Sequence, residues 1–109
     1  MKATNIAFTG IPVTDMKRAR AFYEGALGLQ VAGEFAEGIW VEYALGNDTI
    51  AIGSVGEQWK PSSDGTSVAI EVDDFEAAIK DLKAANVTFA AEGIDSPVCR
   101  MAVVQDPDG

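Results

Sequence analysis

Apolar residues of this chain recur at two spacings, and the two spacings follow each other in the same order twice. Asn5 to Val13 is apolar without helical spacing and reads as a strand. Met16, Ala19, Phe22, Tyr23 and Leu27 then return at steps of three and four, one stripe of an amphipathic helix over Asp15–Leu27. Thr14 and Asp15 are N-cap residue types, and Gly28 suits the position after a helix. Strands are expected at Leu29–Phe35, Ile39–Leu45 and Thr49–Gly53, the last two joined by the turn Gly46-Asn47-Asp48. Gly56 to Gly65 is polar and turn-rich and reads as a linker. The second round runs Ser67–Val72 (strand), Asp74–Ala85 (helix), Val87–Ala91 and Val98–Val104 (strands), then the turn Asp106-Pro107-Asp108-Gly109. Asp73-Asp74-Phe75-Glu76 offers a capping box at the second helix.

A shift of 59 residues lays Ile11 on Ile70, Val13 on Val72, Asp15 on Asp74, Met16 on Phe75 and Ala19 on Ala78. The chain therefore reads as one α+β domain, residues 1–109, built of two tandem βαβββ modules. Module one covers about 1–55, the linker about 56–65 and module two about 66–109. The strands are expected to form a cupped mixed sheet with the helices outside. Module two has no counterpart of Thr49–Gly53: either the sequence stops short of that closing strand or the sheet has an open edge.

Composition narrows the partners. A length of 109 residues suits one small core. The net charge of −9 repels a phosphate backbone, so nucleic acid is not an expected partner, whereas cationic ligands are favoured. No long apolar stretch suggests a signal peptide or a membrane span, and a cytoplasmic protein is expected. Cys99, the one cysteine, lies in an apolar run and is expected half-buried in a strand; with no histidine in the chain it lacks a base to make it a nucleophile.

Three segments carry a family resemblance. Ile11 to Leu29, with Phe22-Tyr23 and Leu27-Gly28 at its heart, resembles the opening helix motif of the vicinal oxygen chelate superfamily, which unites glyoxalases, bleomycin resistance proteins and extradiol dioxygenases. Val68 to Asp74 is similar to the start of that family's second module, and Asp106-Pro107-Asp108-Gly109 to its closing turn. The resemblance implies the two-module cup, a ligand cleft inside it and a homodimer.

It also implies where a metal would be held, and there the chain departs from the pattern. In the motif's register the first-strand ligands fall on Phe8 and Ser67, and a last-strand ligand falls near Ala51. Phenylalanine and alanine have no donor, and a serine hydroxyl is a poor one beside histidine or carboxylate. Neither a metal nor any other cofactor is expected, and the family's lyase, isomerase and dioxygenase chemistries are in doubt.

Strand alternation places Phe8, Trp40, Glu42, Ala51, Ser67, Glu71 and Arg100 inside the cup as a candidate ligand-binding surface. Each also has a plainer role: Phe8 and Trp40 as core fill, Glu42 and Glu71 as solvated residues or partners of Arg100. Trp59, in the polar linker, is a cover for the cleft, part of a dimer surface, or a loop anchor. The expected function is metal-independent binding of a small cationic or aromatic molecule. The alternatives are a divergent enzyme of the same superfamily, using Glu42 or Glu71 as base, and a structural dimer with a vestigial cleft.

Overall fold

The computed structural model describes every residue except Ser96 and Val98. Strand β1 (Thr9–Pro12) leads to helix α1 (Met16–Arg20), which widens into a π-helical turn over Ala21–Ala26. The Asp15 carboxylate caps α1 by accepting the Arg18 N–H at 3.1 Å. The Leu27 N–H donates to the Phe22 carbonyl, five residues back, and Gly28 ends the helix at a φ of +69°. Three antiparallel strands follow: β2 (Gln30–Phe35), β3 (Trp40–Leu45) and β4 (Asp48–Gly53). Gly46 opens the β3–β4 turn at a φ of +58°, the position that a type II′ turn reserves for glycine. β1 closes on β4 in parallel, giving the order β1-β4-β3-β2.

One face of this sheet packs on α1. Val13, Ala19, Tyr23, Val41, Tyr43 and Ile52 form its core, with Ile11, Met16, Phe22 and Leu45 around them. Tyr43, Val41 and Ile52 are fully buried, and burial of an aliphatic chain of that size contributes about 1.5–3 kcal/mol. Tyr43 carries its hydroxyl inward because the Glu24 carboxylate accepts it at 2.8 Å. Arg20 in turn grips Glu24 through Nε at 2.6 Å and Glu34 through Nη1 at 2.5 Å, tying the π-turn to β2 and β3.

Module two has the same plan with less of it in ladders. Helix α2 (Phe75–Ala84) is capped by Asp74, which accepts the Ala77 N–H at 3.1 Å. The expected capping box does not form, because the cap falls on Asp74 and so puts Ala77, not Glu76, three residues on; Glu76 pairs instead with Arg100 at 2.6 Å. β5 (Thr88–Asp95) and β6 (Arg100–Gln105) make an antiparallel hairpin with two bulges in β5. The strand expected to begin at Val98 has its start outside the described residues; β6 begins at Arg100, and Cys99 is exposed rather than half-buried. Ser67–Val72, expected as a strand, belongs to neither sheet; a strand exists only through its neighbours, and no ladder partner stands beside it among the described residues. In the first strand too, pairing rather than composition sets the length: β1 covers Thr9–Pro12 of the expected Asn5–Val13, opposite the four residues Ile50–Gly53.

The final turn fastens the modules together. Asp108 accepts the Thr14 N–H at 3.0 Å and the Thr14 hydroxyl at 2.5 Å, and pairs with Arg18 at 3.0 Å. Asp106 accepts the Tyr23 hydroxyl at 2.8 Å. Burial, and then this carboxylate, push the Tyr23 phenol well above its ordinary range.

Candidate aromatic face and inter-module cleft

The face of the first sheet turned away from α1 is set by the strand register. Residues directly opposite in a ladder share a face, so Phe35 and Trp40, Gly33 and Glu42, Glu42 and Ala51, Trp40 and Gly53, and Gly10 and Ala51 all point the same way. Three of these positions are glycines, and each lies beneath an aromatic ring. A Cβ on Gly53 would meet the Trp40 ring at 2.5 Å, one on Gly33 the Phe35 ring at 2.8 Å, and one on Gly10 the Trp59 ring at 3.2 Å. Glycine inside a strand commonly marks a close approach of this kind. The rings also meet each other. Phe8 sets its edge on Trp40 with centroids 5.4 Å apart, and Trp59 stacks on Trp40 at 5.8 Å with 26° between planes. Glu42 accepts the Trp40 indole N–H at 3.0 Å and fixes that ring.

Of the residues expected to line the cup, Phe8, Trp40, Glu42 and Ala51 thus come together on one surface. Ala51 is floor rather than contact: it is wholly buried and out of a ligand's reach. Glu71 stands elsewhere, lining a cleft of about 660 Å³ at the end of the sheet, which it shares with Thr49 and Ile50 and with Val68 and Ile70 from the unpaired segment. Ser67 is exposed at the start of that segment. Arg100 points to the opposite side: its guanidinium lies 4.6 Å over the Phe75 ring of α2 and pairs with Glu76 and Asp95. The expected inward face Arg100, Ala102, Val104 is therefore the helix-packing face, with Ala102 and Val104 half-buried, while Met101 and Val103 are exposed on the other.

Sequence reasoning left Phe35 and the three glycines out of the site. The sign it passed over was glycine at strand positions 10, 33 and 53, where a packed sheet ordinarily prefers a side chain.

Nearly the whole chain aligns with a family model. Residues 5–109 match the model of the glyoxalase/bleomycin resistance protein/dioxygenase superfamily. The chain belongs to that superfamily. Among solved structures it is similar to TnmS3, described as an antibiotic binding protein from Streptomyces sp. CB03234, with 22% identity over 100% of this chain and 92% of that one and a TM-score of 0.83. A superfamily member from Sphaerobacter thermophilus DSM 20745 aligns at 24% identity over 98% and 92% of the two chains, TM-score 0.79. A glyoxalase/bleomycin resistance protein from Streptomyces sp. CB03234 aligns at 23% over 96% and 94%, TM-score 0.78. No curated protein matches. At these identities the likeness establishes the fold.

The metal site that this family implies does not fit the residues present. Phe8 has no donor atom and its ring is packed against Trp40, Ala51 has none and is sealed in the sheet, and Ser67 offers only a neutral hydroxyl. Among the described residues no three His, Cys, Asp or Glu side chains are grouped to hold a metal. No helix of the described residues is long and apolar enough to cross a membrane.

Proposed function

We propose that this protein binds a planar aromatic or cationic small molecule without a metal, holding it by stacking against the inner face of module one. The observation that carries this reading is the glycine floor under Trp40, Phe35 and Trp59. Phe35 and Trp40 come from the sheet's own strands and Trp59 from the linker, and all three rings lie flat over bare backbone, which leaves an aromatic surface for a planar molecule to stack on. The net charge of −9, with Glu42 at the edge of the rings, favours a ligand carrying positive charge. The antibiotic-binding description of the similar Streptomyces protein supports the same class of role. Drug sequestration fits a site that has aromatic walls and, among the described residues, no grouped set of metal ligands. We further infer a cytoplasmic homodimer, to be checked by light scattering at micromolar concentration.

Titration calorimetry with a panel of planar cations, neutral polyaromatics and non-planar amines, on protein dialysed against a chelator, tests the reading. Binding of planar members without added metal is expected, with Trp40→Ala weakening it by about 1–3 kcal/mol. A panel in which nothing binds, or in which binding returns only with a transition metal, would overturn it.

A further inference from the structure

The linker between the modules delivers one large ring onto the inner face and little else. Of residues 55–67, all are exposed except Trp59 and Pro61. The Trp59 N–H reaches only back within the loop, to the Gly56 carbonyl at 3.3 Å. What seats this stretch on the domain is the Trp59 ring. That ring fills a slot with two bare backbone positions beneath it: a Cβ on Gly10 would lie 3.2 Å from two of its atoms, and one on Gly53 3.3 Å from a third. Trp40 forms the wall, stacked at 5.8 Å, and Glu42 is held at the rim by the Trp40 N–H.

We propose that this slot is a binding subsite for a fused-ring, planar cation, and that Trp59 is the occupant the chain itself supplies while the ligand is absent. The inference rests on the function proposed above and adds where the ligand's ring goes and what it must displace. The indole has the shape of the ligand class: two fused rings, flat, stacked on a second indole. Leaving the slot costs Trp59 its stacking, but a loop of exposed residues breaks few other contacts in moving. The ligand then takes up the same Trp40 face and the same glycine floor. Glu42 adds an attraction for positive charge that the neutral indole cannot use.

Such an arrangement lowers apparent affinity by the fraction of time that the slot stands open. Removing the occupant should therefore tighten binding, the opposite of what removing a wall would do. The probe is proflavine, a fused three-ring cation, titrated by fluorescence anisotropy into the full chain. Trp59→Ala is expected to bind it about 3- to 10-fold tighter than the wild type. In the ligand-free wild type, the stacked Trp40–Trp59 pair should give an exciton couplet in circular dichroism. That couplet should be absent in Trp59→Ala and should fade in the wild type as proflavine saturates. Gly10→Val fills the floor, so it should abolish both the couplet and the binding while thermal unfolding remains cooperative. If the wild type binds proflavine and Trp59→Ala binds it equally or more weakly, Trp59 is a wall and the subsite assignment is wrong, with the broader function intact. If neither folded protein binds proflavine or any other planar cation, both fail.

Discussion

The two modules have one plan and unequal cores. Every fully buried side chain among the described residues lies between Val13 and Ile52, in module one. In module two α2 has no buried residue, and Ile70, Val72, Ile94, Met101 and Val103 remain exposed. The difference traces to the closing strand. β4 is the strand that joins β1 to β3, and it carries Ile50, Ala51 and Ile52, all buried. Among the described residues module two has a hairpin and the unpaired segment 67–72 with no strand laddered between them, so its apolar residues have a helix on one side and no such strand on the other.

The sharpest way to break this contrast is truncation in each core. Tyr43→Ala should cost about 3–5 kcal/mol in urea unfolding. Phe75→Ala, at a half-buried site of α2, should cost about 1–2 kcal/mol; equal losses would mean that the cores are not unequal. Next in size is the clasp between modules. Asp108→Ala removes the acceptor of the Thr14 N–H and hydroxyl, which water can replace at this exposed residue, and should cost about 1 kcal/mol by the same measurement.

The proton equilibria of module one sharpen the comparison further. Arg20 first, and Tyr43 with it, hold the Glu24 carboxyl below the usual carboxylate range. Its contribution to stability is present above the unfolded carboxyl value and disappears as pH falls through the lower folded one. The urea midpoint of the wild type should therefore drop toward that of Glu24→Gln on acidification. Burial, followed by Glu24, pushes the Tyr43 phenol up, as burial does for Tyr23. Stability from both phenols is complete below the unfolded value of about 10 and is lost as pH rises past it. Tyr43→Phe should flatten part of that alkaline loss. The smallest effect is expected in amide exchange: 67–72 should exchange without protection while β3 and β4 exchange only through global unfolding. Slow exchange at 67–72 would reveal a partner strand.

Much of this was legible in the sequence. The two helices, the Asp15 cap, the Gly28 stop and the two-module plan follow from spacing and from residue types that act locally, while the second cap falls on Asp74, one residue past the box read at Asp73. The strand faces of module one were legible for the same reason, since alternation needs no partner. The failures arise where a partner decides. Ser67–Val72 has strand composition, but a ladder needs a neighbour. Arg100 was assigned inward, although the same 59-residue shift lays it on Val41, Ala102 on Tyr43 and Val104 on Leu45, three helix-facing positions. The repeat thus contained the right answer. Trp59 sits in a linker with no period to read, and its place on Gly10 is a tertiary fact.

The Asp108 clasp joins residues 94 apart in the chain, from Thr14 near the start to the last turn. Contacts of such separation demand closure of nearly the whole chain before they return any energy. Module one, whose pairings are local apart from β1 with β4, can assemble before that closure. The clasp should then be absent from the folding transition state. Asp108→Ala would leave the refolding rate almost unchanged and appear as faster unfolding. Those few hydrogen bonds would act as a latch on the lifetime of the native state, with little say in how quickly it is reached.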